Sequence, residues 1–309
     1  MDRGAGGQPP AHEAQAVQAD AFHRLSPKAW RRALWDSWQE AGNDNIALIS
    51  AGVAFYAFLA LVPLLGAVVL TYGMVADPET VVRDMRSLTS VMPPDAAHFV
   101  GQQLMEVVQT SSGKKGFGAL FALALALFAA RNGAGSIITA LNIAYEVKER
   151  RSYIIVTLLA IGTTGLAVLT VILAMVAITA LGHLQKLVPG APIVLLVLGK
   201  LTTYGILGLS GTAASAILYR YGPSRKNARW VWLNPGSLLA SACWMLLALG
   251  FGVYVARFGN YSATYGSLSA PVVLLTWLYL SIYALLFGAE LNCEVQRHAT
   301  AQAASGPAE

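Results

Sequence analysis

Six long apolar stretches, separated by polar punctuation, set the rhythm of this chain. They run approximately from Ile46 to Val75, Phe117 to Tyr145, Tyr153 to Leu181, Ala191 to Tyr219, Leu233 to Val255 and Ser267 to Leu291. A helix rises about 1.5 Å per residue, so roughly 20 residues cross a hydrocarbon core about 30 Å thick. Each stretch is long enough to do so. None shows the short polar/apolar alternation of barrel strands, and lipid offers no partner for free backbone N–H and C=O groups, so helices are the expected solution. The predicted fold class is all-α: a polytopic membrane protein with about six transmembrane helices plus amphipathic interfacial helices.

Two shorter patterns flank the spans. In SPKAWRRALWDSWQE, Ser26 is placed to cap a helix and Pro27 to occupy its first turn. Trp30, Leu34 and Trp38 recur every four residues beside Lys28, Arg31 and Arg32, which describes a helix lying at the headgroup boundary or packed on another helix. In the long connection before the second span, Val81, Val82, Met85 and Leu88 form one apolar stripe and Val100, Leu104, Val107 and Val108 another, with Pro93 and Pro94 between them. Two short amphipathic helices are predicted there. The organisation is therefore a flexible tail over 1–24, a single six-span membrane domain over 25–297 with an amphipathic loop at about 78–110, and a flexible tail over 298–309.

Composition agrees with the pattern: 56% of residues are apolar, 12% are charged and mean hydropathy is +0.55. The placement of positive charge adds orientation. Arg3, Arg24, Lys28, Arg31 and Arg32 precede the first span, Lys148, Arg150 and Arg151 follow the second, Arg220, Arg225, Lys226 and Arg229 follow the fourth, and Arg297 follows the sixth. The opposite connections carry fewer, so both termini are expected in the cytoplasm. The net charge of +5 then reads as topology and attraction to anionic headgroups, with no nucleic-acid partner implied. No cleavable leader is expected, since residues 1–45 are polar and the first apolar run is longer than a signal h-region. Cys243 and Cys293 make neither a metal motif nor a disulfide framework.

A charge inside a greasy run raises the functional question. In FALALALFAARNGAGSIITALNIAYEV, residues 121–147, Arg131 sits about 21 Å from the start of the span at Phe117. One reading lets its long stem snorkel to the headgroups. The other, which the neighbouring Asn132, Gly133 and Gly135 favour, has it face a wet cavity beside a closely packed backbone. Asn142 and Tyr145 lie at the inner end of the same helix, and Glu290 and Asn292 reach a similar depth on the sixth span. Arg131, Asn132, Asn142, Tyr145, Glu290 and Asn292 are therefore the substrate-path candidates, with Arg131 attracting an anionic phosphate or pairing with Glu290 when unloaded. Lys200 is expected to snorkel outward, the Gly205, Gly208 and Gly211 series to support helix packing, and Pro63 to bend the first span.

Three segments carry a resemblance. AFYAFLALVPLL at 54–65, ALNIAYEVKERRSY at 140–153 and YGSLSAPVVLLTWLYLSIYALLFGAELN at 265–292, in this order within a six-span layout, resemble the YihY/BrkB family of bacterial inner-membrane proteins, over roughly residues 25–297. Arg131 with its Asn-Gly neighbours departs from the family pattern, so no family role passes to it. The resemblance implies a multi-pass envelope protein of the bacterial inner membrane, in a family labelled both as a serum-resistance factor and as a ribonuclease.

The residues do not support ribonuclease chemistry. His12, His23, His98, His183 and His298 are scattered without ligand spacing, and there is no GxxxxGK[ST] phosphate loop or basic aromatic nucleic-acid motif. No catalytic residue, metal or cofactor is therefore expected. The leading expectation is transport or flipping of a lipid or other amphiphile, with membrane lipids as partners. The alternative is a nontransporting envelope scaffold that binds partner proteins.

Overall fold

In a computed structural model the chain is described over residues 25–72, 117–187, 193–225, 234–258 and 269–304, with a few isolated positions between 80 and 106. The predicted tail at 1–24, most of the loop at 78–110 and the last five residues lie outside the described residues. Seven helices carry the described fold: α1 Pro27–Asn43, α2 Ile46–Tyr72, α3 Phe117–Ala144, α4 Tyr153–Leu187, α5 Ile193–Tyr221, α6 Pro235–Phe258 and α7 Ser269–Ala304. Five of them contain stretches long and apolar enough to cross a membrane, and α6 contributes a shorter apolar segment, Pro235–Gly250. This is a polytopic all-α membrane fold.

Helices α2 to α7 close into a ring in which each packs on the next and α7 returns to α2, while α7 also touches α3 and α2 touches α4. The ends that gather at one pole are the C-termini of α1, α3, α5 and α7 and the N-termini of α2, α4 and α6. Hydrogen bonds between residues far apart in sequence, such as Asn292 with Asn234 and Arg151 with Gly222, tie that pole together. It also carries Arg31, Arg32, Lys148, Arg150, Arg151, Arg220, Arg225 and Arg297, and is called the basic pole below. Its core holds Ile46, Leu141, Tyr219, Leu286 and Ala289. The opposite half of the bundle packs Leu65, Val68, Met175, Val273 and Leu274, together with Val100 from the long connection.

The outward faces are apolar too. Leu48, Phe121, Leu158, Leu209 and Leu246, one from each of α2 to α6, are exposed. In water such a belt would be a liability, but against lipid it carries no penalty, and association falls instead to close backbone approach. Small residues supply it. Gly133 on α3 faces Ala60 and the backbone of Tyr56 on α2, Gly208 faces Met245, and Gly211 faces Ser241. Gly205 faces open space, so two of the three glycines in that series serve packing. The closest approach is between Gly236 on α6 and Gly288 on α7, where an added Cβ on either would collide with the carbonyl oxygen of the other.

Helix α1 begins as its sequence dictates, with Ser26 Oγ accepting from the Ala29 N–H at 3.2 Å and Pro27 in the first turn. Its buried face differs from the tryptophan stripe. Ala33, Ser37 and Ala41 are buried, whereas Leu34, Trp35 and Trp38 are exposed. Small residues let α1 sit close to α7, and the large rings are left on its flank. Helix α7 runs to Ala304, further than the predicted span and through the first part of the expected C-terminal tail. The extension is helical because Val295 and Ala299 pack with Ala33 on α1 and with Leu25 just before it. Helix α2 continues through Pro63, which forfeits one backbone hydrogen bond.

Candidate functional site

Four of the six sequence candidates fall at the basic pole, and three of them join helices. The Asn292 side chain accepts from the Gly236 N–H at 2.8 Å and donates to Asn234 Oδ1 at 2.9 Å and Tyr145 Oη at 3.2 Å. One amide thereby serves the first turn of α6, the segment before it and the end of α3. Gly236 N–H is one of the helix-start donors that has no intrahelical acceptor, and burial makes a side-chain acceptor necessary. Asn142 donates to Glu149 at 2.9 Å and accepts from the Ser224 N–H at 2.7 Å, which joins α3 to the segment after α5. Tyr145 stacks under the Arg225 guanidinium, 4.0 Å from its ring centroid, and Arg225 donates to the Tyr219 carbonyl at 2.8 Å. Glu290, the fourth, is 1% exposed and its Oε1 has no hydrogen-bond partner.

The other two candidates lie elsewhere. Arg131 donates to Tyr153 Oη at 3.0 Å and stacks over the Phe128 and Tyr153 rings at 4.9 and 5.8 Å, on the exposed side of α3 and α4. Asn132 beside it is exposed. Helix α3 is uninterrupted through this stretch, and the glycine that matters, Gly133, faces α2. The anticipated Arg131–Glu290 pair is therefore not formed: Arg131 stretches along its own helix to a tyrosine at the start of α4, as a snorkelling side chain does. The six candidates do not line one passage among the described residues.

The turn between α3 and α4 is held by charge. Glu146 turns the chain with φ 49°, and Glu149 receives both arms of Arg151, at 2.8 and 2.7 Å. Arg151 also reaches the carbonyls of Tyr221 and Gly222 at 3.0 and 2.7 Å, so one guanidinium closes two connections. The Arg151 fork, then its backbone N–H and the Asn142 and Ser224 side chains, hold the Glu149 carboxyl well below the usual carboxylate range, against the opposing effect of burial.

The fold also assembles groups that sequence spacing separates. His298 Nε2 lies 2.8 Å from Asp36 Oδ2, and with Glu294 these side chains bring three potential ligand atoms within 4.8 Å of one another. Arg297 already occupies Glu294 at 2.5 Å. The triangle latches α1 to α7, and its members are 262 residues apart in the case of Asp36 and His298, which is why no linear motif announced it.

An open groove lies beside α1. Arg31, Arg32, Leu34, Trp35, Trp38 and Phe287 line a groove of about 760 Å³. Among the described residues neither arginine has an ion-pair partner. Phe287 is shared with a second, almost wholly apolar depression of about 490 Å³ between α6 and α7, walled by Cys243, Leu246, Leu247, Leu280 and Tyr283. An aromatic ladder connects the two. Tyr279, Tyr283 and Phe287 recur every four residues along one face of α7, with centroids 6.3 Å apart at each step, and Trp38 meets Phe287 edge-on at 6.2 Å. Two guanidinium groups without an ion-pair partner among the described residues thus stand beside an apolar depression that shares Phe287 with their groove. The spacing of 279, 283 and 287 was visible in the sequence; that α1 would place Arg31 and Arg32 above it was not.

Residues 37–309 match the family described as "Virulence factor BrkB". The chain belongs to the BrkB family. This BrkB-family chain is 31% identical over 247 residues to the ribonuclease-like protein YfkH of Bacillus subtilis (strain 168), covering 79% of this chain and 87% of that protein. It is also 25% identical over 285 residues to the UPF0761 membrane protein PSHAa0171 of Pseudoalteromonas translucida, covering 89% and 88%. No solved structure matches it. Family and fold agree on an integral, multi-pass membrane protein.

Proposed function

We propose that this BrkB-family protein binds an anionic phospholipid at the basic pole and carries its headgroup between leaflets, without catalysing a reaction. The observation that supports the reading is the groove at Arg31 and Arg32 with its apolar continuation past Phe287. A phosphate needs charge-assisted donors, which two exposed guanidinium groups supply. An acyl chain needs an apolar surface, which Phe287, Tyr283 and Leu246 supply. The excess of Lys and Arg at this pole supports a cytoplasmic orientation for it, with both termini on that side of the bacterial inner membrane. The groove then opens to the inner leaflet.

A second reading is favoured by a different observation. Asn142, Tyr145, Asn234 and Asn292 are spent on helix-to-helix hydrogen bonds, as expected of an envelope scaffold whose polar residues only fix the bundle. Lipid binding separates the two. In delipidated protein, brominated phosphatidylglycerol should quench tryptophan fluorescence at lower concentration than brominated phosphatidylcholine, and Trp35→Phe with Trp38→Phe should remove most of that quenching. Equal quenching by both lipids would leave the groove as ordinary lipid-facing surface and would favour the scaffold.

A further inference from the structure

Among the described residues, two carboxylate oxygens stand out from the buried polar atoms that lack a hydrogen-bond partner. Glu290 Oε1 on α7 and Asp44 Oδ2 at the C-cap of α1 are both buried without one. Asp44 lies two residues before Ile46, which packs in the same core as Leu286 and Ala289, so the two carboxylates belong to one locality. Asp44 is the strongest charged neighbour of Glu290, followed by Glu40, Glu294 and Glu146. Among the described residues the cation that acts on Asp44 is Arg297, and its guanidinium is already engaged by Glu146 at 2.6 Å and Glu294 at 2.5 Å. Among the described residues, the charged groups acting on Glu290 are therefore all acidic, and the one cation acting on Asp44 is already committed elsewhere.

The backbone adds negative potential. Helix α1 ends at Asp44, and α3 ends at Ala144 beside Glu146, so the C-terminal poles of two helices converge on the same acidic groups. Each such end carries roughly half a negative charge. Burial first, then Glu40 and Glu146, push the Asp44 carboxyl above its ordinary range, with Arg297 opposing. Orphaned buried oxygens of this kind call for a water or an ion.

We propose that Glu290 and Asp44 form an oxygen-ligand site for a hard divalent cation of the Mg²⁺ or Ca²⁺ class, bridging α7 to the α1–α2 turn. Two carboxylates match a divalent charge, and ligands made only of oxygen select hard ions. Neither residue lines the groove at Arg31 and Arg32, so the site stands or falls apart from lipid binding.

The test is ion titration of the untagged full-length protein in detergent after EDTA treatment, with CaCl₂ and MgCl₂ separately and KCl at matched ionic strength as the control. Calorimetry and thermal unfolding are read together. The wild type should bind one equivalent of at least one divalent ion saturably and unfold at higher temperature when loaded. Glu290→Gln and Asp44→Asn should each weaken that uptake about tenfold or more, the scale on which even outer partners of metal ligands act. His298→Ala should leave it unchanged. No saturable uptake by the wild type overturns the site, as does uptake that survives in Glu290→Gln or disappears in His298→Ala. If Glu290→Gln does not fold, Asp44→Asn decides, since it keeps the backbone cap and removes one ligand charge.

Discussion

Replacing Asn292 by Ala removes three hydrogen bonds at once, those to Gly236 N, Asn234 Oδ1 and Tyr145 Oη. Side-chain hydrogen bonds between membrane helices average about 0.6 kcal/mol each, so the three together come to about 2 kcal/mol. The loss falls unevenly. Asn234 Oδ1 keeps the Ser237 N–H at 2.8 Å, whereas the Gly236 N–H has no other acceptor assigned to it, and a buried unsatisfied donor costs roughly 1 to 3 kcal/mol. The expected destabilisation is therefore about 2 to 4 kcal/mol, the upper part reflecting the stranded amide. Reversible SDS titration of the protein in mixed micelles, followed by circular dichroism, measures it, with Arg131→Ala run alongside. A loss below about 0.5 kcal/mol for Asn292→Ala, or one no larger than that of Arg131→Ala, would refute the claim that this amide locks α3, α6 and α7 together.

Gly288→Ala drives a methyl against the Gly236 carbonyl and Tyr219 Oη, each 2.5 Å from the new Cβ, and should cost about 1 to 3 kcal/mol or abolish accumulation of the protein; Gly205→Ala, facing open space, should be close to neutral in the same titration. Arg131→Ala should insert and fold with a change below about 1 kcal/mol, because its hydrogen bond and ring contacts are on the exposed side of the bundle; a large loss would mean the side chain has an interior role. The depressed Glu149 carboxyl contributes stability that is present above its unfolded value near 4.5 and is lost as pH falls toward its lower folded value. Glu149→Gln should accordingly flatten the acid side of the stability profile below about pH 4.5, and an unchanged profile would contradict the Arg151 clamp.

The spans were legible because their apolar runs are long and their polar breaks sharp, and helix starts such as Ser26–Pro27 and Tyr153 fall where the sequence signals them. The polar knot was half legible. Asn142, Tyr145, Glu290 and Asn292 could be placed at one depth from residue counts, but which of them would be satisfied depends on the side-chain geometry of three helices. Arg131 shows the limit most clearly. Depth along a helix follows from counting, whereas the direction a side chain faces depends on which flank the neighbouring helix covers, and Gly133 turned out to mark the covered flank. The same holds for α1, where the repeat of Trp30, Leu34 and Trp38 hid a buried stripe of Ala33, Ser37 and Ala41. Small residues carry little hydropathic signal, yet they decide which face packs. The latch of Asp36, Glu294 and His298, and the convergence of Asp44 on Glu290, arise from contacts across almost the whole chain and leave no local trace.

Leaflet transfer bears most directly on the proposed function. Two arginines near a headgroup contribute about 1 kcal/mol each toward an anionic lipid, roughly 2 kcal/mol or about thirtyfold in occupancy. In proteoliposomes at matched protein density, fluorescent phosphatidylglycerol should cross between leaflets faster than the phosphatidylcholine analogue. The Arg31→Gln, Arg32→Gln double variant should lose most of that difference while folding normally. Transfer of neither lipid by the wild type, or an undiminished preference for phosphatidylglycerol in the double variant, would contradict the account.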